Sequence, residues 1–294
     1  MALLDYQRSY RGLLLGEGTA YDIIEEDGVE SLTVRDGDRE FPRASGSIPG
    51  KHYAESKVIV LTTEVVGPLN DTEELFNDFK KAFQLSEDEE YPYIFKNPGQ
   101  DEPFIGARPI RRPRVRPLES ELGVTQMQVA LKASDPRIYS STTKNVLVSK
   151  FDVEGGGFEL PTELPLDMTS PTTTVAVARN DGDSYAYPLV RFFHKSDSIA
   201  QVNGVTLQNL ANGDVLTIET TIAPGQQLYA DMDAYIRATG GLIVYSDNSS
   251  YYSFWKLPRS PFRLSPGDNL LALHIDGTAT TELICVVTYR DTYL

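Results

Sequence analysis

The sequence is poor in residues that often perform chemistry or cross-link a chain: 294 residues include one cysteine, one tryptophan and three histidines. The lone cysteine, Cys285, excludes an intrachain disulfide, and its place in the apolar run 283–287 predicts a buried, inert thiol. The histidines are far apart in the sequence and form no helical His-x-x-x-His pair, so they predict no metal site. They are His52, His194 and His274.

The chain also lacks an excess of positive charge and any long hydrophobic run. Its formal net charge is -15, which disfavours general binding to nucleic acid. No apolar stretch approaches the roughly 18 residues needed to cross a bilayer, and no basic segment followed by an apolar core opens the chain. We therefore expect a protein that is made and kept in the cytoplasm, or assembled from there, with no membrane insertion and no sequence-specific nucleic-acid partner.

Sequence motifs for catalysis and cofactor binding are incomplete. The segment 16–21 has two glycines of a dinucleotide-binding loop but Tyr21 in the third glycine position. Gly182-Asp-Ser184 lacks the helix that follows a nucleophile turn. Three aspartate pairs lack the spaced oxygen ligands of a calcium loop and are interpreted as solvated: 36/38, 181/183 and 231/233. We expect no enzyme and no catalytic, cofactor or metal residues; a hydrolase would need acids that converge only in space.

What the sequence does contain is strand-forming residues in short runs. Short runs of Val, Ile and Thr are bounded by Gly, Pro and Asn, and the chain has 16 tyrosines and 12 phenylalanines. These features predict a mainly β protein. Residues 31–35, 57–66 and 125–133 have strand patterns, and the last alternates apolar with polar positions. Two turn signatures, at 180–192 and 262–271, predict antiparallel sheet in the C-terminal half, with Asn180-Asp-Gly182 offering residues that tolerate positive φ.

One helix is predicted at residues 70–85. Asn70 and Glu73 have the spacing of a capping box, and the apolar residues recur with a 3.6-residue period. We expect this apolar stripe to pack on a sheet, and the alternative is that part of it meets another subunit. The stripe consists of Leu75, Phe76, Phe79, Ala82 and Phe83.

The chain length favours two domains of about 150 residues each. We assign residues 1–145 to the first domain and 146–294 to the second. The boundary falls within 140–171, where a Gly155–Gly157 run and three prolines interrupt the strand patterns.

Five arginines lie within the nine positions 108–116, and three prolines hold this segment extended. One interpretation is a solvated edge strand. The other is a seam between subunits, in which the arginines face the acidic residues 87–90 of a neighbour, head to tail, in a closed ring. The candidate interface residues are Arg108, Arg111, Arg112, Arg114 and Arg116.

An aromatic cluster lies at 251–255. Strand alternation would place Tyr251 and Trp255 on one face. Packing in a core or an interface is the first interpretation, and stacking on a glycan by these two residues is the second.

Four spaced motifs together resemble the distal tail (Dit-like) protein of long, non-contractile-tailed bacteriophages. The resemblance spans nearly the whole chain, and the predicted helix fits its N-terminal order. The motifs are Asp135-Pro136-x-x-Tyr139, Asn180-x-Gly182 leading to Pro188, Leu264-x-Pro266-Gly267-x-Asn269, and Tyr289-Arg290-x-x-Tyr293-Leu294.

This resemblance implies an N-terminal β-sandwich or split-barrel-like belt domain that forms a homohexameric ring, and a galectin-like C-terminal β-sandwich. The ring would join the tail tube protein to the tail-associated lysin or baseplate hub protein in the virion, around a lumen that passes DNA. It implies structural work rather than catalysis, with no cofactor. The alternative is a carbohydrate-binding receptor-recognition module that contacts a host cell-surface glycan.

Overall fold

The computed structural model describes residues 2–41, 45–66, 69–86, 89–99, 101–119, 124–148, 175–195, 202–233, 243–245, 261–277 and 283–294. The chain divides into two compact units, the first ending at Ser141 and the second running from Thr142 to Tyr293. Both units are built from antiparallel strands, which confirms the mainly β prediction. Among the described residues, no helix has the length and apolar character needed to span a membrane.

The first unit is a split barrel. Its strands are β1 (Gln7–Tyr10), β2 (Leu13–Gly16), β3 (Asp22–Asp27), β4 (Val34–Arg35), β5 (Arg39–Glu40), β6 (Ser47–Ile48), β7 (Tyr53–Ala54), β8 (Lys57–Val66), β9 (Tyr91–Phe95), β10 (Phe104–Pro109), β11 (Arg114–Glu119) and β12 (Val124–Ala133). They pair in the order β2-β1-β9-β10-β12-β8-β3, and β2 and β3 come close together at the two ends of this series. The strand β10 makes the corner, because its first four residues pair with β9 and its last two with β12.

The barrel core is aromatic and aliphatic, and the helix packs on it. The predicted alternation of β12 is confirmed, since Met127, Val129 and Leu131 are buried. The helix α1 (Leu69–Ala82) is also confirmed, although it begins at Leu69, so that Asn70 lies inside the helix rather than capping it, and it ends three residues earlier than expected. Phe83 just beyond it is fully buried and stacks on Tyr10, with ring centroids 5.0 Å apart.

Arg11 explains where the helix ends. Its φ angle is +47°, and its guanidinium donates to the main-chain oxygens of Ala82 at 3.4 Å and Gln84 at 2.9 Å. A cation at a helix C-terminus satisfies carbonyls that have no partner within the helix. Because Arg11 is about 70 residues away in the chain, no local pattern indicates this contact.

Between β3 and β8 the chain forms a two-stranded arm, which we define as residues 30–56. It contains two short ladders, β4 with β7 and β5 with β6. The strand expected at 31–35 is therefore only two residues long. None of the described apolar side chains of the arm belongs to the barrel core.

The second unit is a sandwich of two sheets, as expected from the sequence. Its strands are the end of β13 (Ile138–Val148), β14 (Ala176–Asn180), β15 (Leu189–His194), β16 (Val202–Asn209), β17 (Val215–Ile218), β18 (Gln227–Asp231), β19 (Ile243–Tyr245), β20 (Gly267–Gly277) and β21 (Leu283–Tyr293). One sheet has the order β19-β18-β15-β21-β13, and the other β14-β20-β16-β17. Phe192 and Cys285 from the first sheet and Leu207 and Leu273 from the second share one core. Complete burial raises the pKa of the Cys285 thiol, confirming the inert cysteine.

Asn180, in the first turn signature, holds chain segments together. Its side chain is buried, and its amide nitrogen donates to the carbonyl oxygens of Ser184 at 2.7 Å and Leu264 at 3.3 Å. The expectation of positive φ in this turn is wrong. Gly182 is needed instead because a Cβ there would lie 2.0 Å from the carbonyl oxygen of Thr292.

Asn269, in the second turn signature, also holds chain segments together. It is fully buried, its side-chain oxygen accepts from Ser265 N at 2.8 Å, and its amide donates to the carbonyl oxygen of Ala178 at 3.2 Å. The buried Asn209 also donates to it, at 2.8 Å. Gly267 has a φ of +89°, as the Pro-Gly turn predicts. Both turn signatures thus consist of residues that stabilise the sandwich.

Candidate functional site

The arginine-rich segment lies at an edge of the barrel. Arg108 lies near the end of β10 opposite Lys132, and Arg114 and Arg116 lie on β11 opposite Gln128 and Gln126. Residues 110–113 bend between the two strands, so the segment is not the single extended edge that its prolines predict. Among the described strands, β11 pairs only with β12, which leaves its other edge open.

The arginines of this edge are available for contact. Arg111, Arg112 and Arg114 are exposed and make no hydrogen bond or ion pair with any residue that the structure describes. Arg108 is half-buried, and the side chain of Arg116 lies outside the described residues. We call residues 111–116 the basic edge.

A groove lies beside the basic edge. It has a volume of about 540 Å³ and lies between the C-terminal end of α1 and the bend at 110–113. Its lining joins two cations to an apolar surface: Lys80, Phe83, Gln84, Leu85, Arg112 and Pro113. Leu85 is 46% exposed there. A basic, partly apolar groove suits a protein partner with acidic and apolar side chains.

The opposite edge of the same sheet is acidic. The four strands run β3-β8-β12-β11, and β3 pairs with no described strand other than β8. Asp22, Glu25 and Asp27 are exposed on β3, and Glu26 is half-buried. We call residues 22–27 the acidic edge. The sequence analysis missed it, because the opposition of the two edges follows only from strand order.

Glu26 is fixed within the barrel by Arg8 and Tyr93. Arg8 Nη2 lies 2.7 Å from Glu26 Oε2, and its Nη1 donates to the carbonyl oxygen of Lys96 at 3.0 Å. The hydroxyl of Tyr93 also donates to Glu26. Burial and the adjacent Glu26 raise the pKa of Tyr93 well above its ordinary value, so the phenol stays protonated. A pocket of about 320 Å³ opens here. The N–H groups of Arg8 already donate to protein oxygens, so Arg8 holds Glu26 in place and is not a catalytic group.

The acidic segment that the sequence analysis paired with the arginines is partly used inside the subunit. Residues 87–88 lie outside the described part of the chain. Glu89 accepts a hydrogen bond from Tyr91, and Glu90 accepts from Ser134 N at 2.8 Å. Glu89 and Glu90 thus already have partners within the subunit.

The arm carries an exposed apolar surface that the sequence analysis also missed. Large apolar side chains there are 42–53% exposed: Leu32, Val34, Phe41, Ile48 and Tyr53. Large exposed apolar side chains gathered on one segment are typical of surfaces that contact other proteins.

The remaining predicted sites have different outcomes. Tyr251 and Trp255 lie outside the described residues, so glycan stacking stays a prediction. Asp181 is not simply solvated, because it pairs with Lys144 at 2.7 Å and with Arg179 at 2.6 Å.

No protein-family model and no curated protein matches this chain. Solved structures do. The Dit protein (gp 19.1) of phage SPP1, a paradigm of the hub adsorption apparatus in phages that infect Gram-positive bacteria, is 12% identical, with a TM-score of 0.67 over 98% of this chain and 99% of that chain. The phage P2 baseplate in its activated conformation with Ca matches at 11% identity and a TM-score of 0.49, and with Sr at 11% and 0.48; each match covers 96% of this chain and 97% of that chain. The SPP1 match confirms the Dit-like fold.

Proposed function

We propose that this protein is a structural component of a bacteriophage tail tip, a distal tail protein whose hexameric ring joins the tail tube to the baseplate hub. The observation that carries the proposal is the match to the SPP1 Dit fold over nearly the whole chain. The protein acts as a scaffold rather than an enzyme, and its place is the virion. Its partners are further copies of itself, the tail tube protein and the tail-associated lysin or hub protein.

The first domain, residues 1–145, forms the ring, and the second, residues 146–294, is the galectin-like domain. The ring forms by head-to-tail contact between the basic edge of one copy and the acidic edge of the next. Two different edges of one sheet that recognise each other make a heterologous interface, which closes into a ring when the rotation between copies allows it. Complementary charge fixes the orientation of the two edges, and open backbone groups add a ladder between them.

The arm supplies the apolar part of the interface. Its five exposed apolar side chains are buried when the arm lies against a neighbouring copy, which gives affinity that charge alone does not. The net charge of -15 keeps DNA from being trapped as it passes through the lumen.

The first test is the mass of the purified protein by light scattering, with negative-stain images of the same peak. We expect six times the 32.6 kDa of one chain and six-fold rings with an open centre. A monomer, both alone and in the presence of the tail tube protein, would reject the ring.

A charge exchange tests the two edges separately from the ring. Replacing Arg111, Arg112 and Arg114 by Glu should abolish the hexamer at low salt, because like charges then face each other. Replacing Asp22, Glu25 and Asp27 of the acidic edge by Arg in the same chain should restore it. The control reverses two exposed cations of the second unit, Arg191 on β15 and Lys195 just after it, and should leave the hexamer intact. Hexamers that survive the first replacement would reject the edge contact and leave the tail-tip assignment standing.

A further inference from the structure

The middle of the arm brings together two short segments that are distant in sequence. Asp36-Gly37-Asp38 lies between β4 and β5, and Gly50-Lys-His52 lies between β6 and β7. The two glycines let the backbones approach closely here, because a Cβ on Gly50 would lie 2.0 Å from the carbonyl oxygen of Gly37. Side chains that flank the glycines therefore meet where the arm has no strand ladder.

Three metal-ligating side chains converge at this point. His52 Nε2 lies 3.3 Å from Asp36 Oδ1 and 3.7 Å from Asp38 Oδ1. All three donor atoms lie within 4.8 Å of one another. Neighbouring ligands of a tetrahedral ion with bonds of about 2.0–2.1 Å are about 3.3 Å apart, so the donors need only small shifts to share one cation.

The aspartates are held in place by the backbone. Asp38 Oδ1 accepts a hydrogen bond from Gly50 N at 2.7 Å, and Asp36 Oδ1 accepts from Asp38 N at 2.9 Å. Ser47 Oγ also donates to Asp38 Oδ2, at 3.4 Å. Outer contacts of this kind orient the carboxylates of metal sites before the ion binds.

We propose that Asp36, Asp38 and His52 bind one divalent transition-metal ion of the Zn²⁺ class. Two carboxylates and one imidazole are a donor set for zinc, whereas Ca²⁺ and Mg²⁺ take oxygen ligands. Three protein ligands leave a coordination position for water. The ion joins the two strands of the arm where they lack ladder pairing, which stiffens the arm between its two pairs of short strands.

The test uses the full-length protein, purified without a polyhistidine tag and stripped of metal with a chelator. Titration calorimetry with Zn²⁺ should give about one site per chain, and His52→Ala should weaken it by about tenfold or more. Asp38→Asn should weaken it as well. The matched control is His274→Ala, an exposed histidine on β20, which should leave the site unchanged. All three ligands are exposed, so these variants should retain the circular dichroism spectrum of the parent.

Cobalt and calcium give independent readouts. Co²⁺ bound at this site should have visible absorption bands that disappear in His52→Ala and when Zn²⁺ is added. Equal Zn²⁺ affinity in the parent and His52→Ala would overturn the proposal. Tighter binding of Ca²⁺ than of Zn²⁺, insensitive to His52→Ala, would overturn the choice of ion.

Discussion

The two units differ in where their polar and apolar side chains lie. In the second unit, Asn180, Asn209 and Asn269 are fully buried and bonded to backbone or to one another. In the first unit, cations and acids lie on opposite edges of one sheet, and five large apolar side chains of the arm face outward. Polar groups that are already hydrogen-bonded within their own unit are not available to a partner. Open strand edges and exposed apolar side chains are available. The comparison supports the proposal that the first unit carries the surface for assembly.

The largest expected effect is on the stability of the first unit, whose packed core this contrast depends on. Phe83→Ala removes a fully buried ring that stacks on Tyr10 and contacts Phe79, and should lower the free energy of unfolding by about 3–5 kcal/mol. Urea unfolding followed by fluorescence measures it. Leu85→Ala, at an exposed position two residues on, is the control, with an expected change below about 0.5 kcal/mol. A similar loss in both variants would contradict the assigned packing.

The next effect tests whether buried asparagines stabilise the second unit. Asn269→Ala leaves Ser265 N, the Ala178 carbonyl and Asn209 without their partner, and should cost about 3 kcal/mol. Thermal unfolding monitored by circular dichroism measures it. Asn203→Ala, at an exposed position on β16, should cost less than about 0.5 kcal/mol. If Asn269→Ala proves equally mild, the network is not what holds these turns together.

The smallest effect is a pH dependence in the first unit. Burial alone would raise the pKa of Asp135, but hydrogen bonds and charge from Arg137, with a bond from the Tyr139 hydroxyl, lower it below 3.8. This carboxylate therefore adds stability above its unfolded pKa, and that stability disappears as pH falls through the lower folded pKa. Unfolding by urea from pH 6 to about pH 2 should have a shallower acid decline in Asp135→Asn. Equal slopes in the parent and the variant would contradict the shift.

Asp135 also explains one of the motifs of the Dit-like resemblance. Its Oδ1 accepts from Arg137 Nε at 2.8 Å, and its Oδ2 accepts from the hydroxyl of Tyr139 at 2.7 Å. The sequence analysis used this motif only as part of the resemblance. In the structure it is a small clamp at the start of β13, which local sequence patterns could indicate only as a turn.

Much of the fold could be predicted because it depends on neighbours in sequence. The alternation of β12 and the 3.6-residue stripe of α1 are set by which faces of an element meet a core. The inert state of Cys285 also follows from its apolar strand. The end of α1 could not be predicted, since it depends on Arg11, which lies in the turn between β1 and β2 about 70 residues away in the chain.

The candidate surfaces could likewise be predicted only in part. The sequence by itself determined that residues 108–116 carry a dense positive charge and that the chain is mainly β. Only the tertiary structure decided that the acidic edge lies across the sheet from the basic edge, and that His52 meets Asp36 and Asp38. The physical reason is that periodicity and local charge depend on residues a few positions apart. Strand order and the meeting of two arm segments depend on which distant strands pair, and that is determined by the whole core.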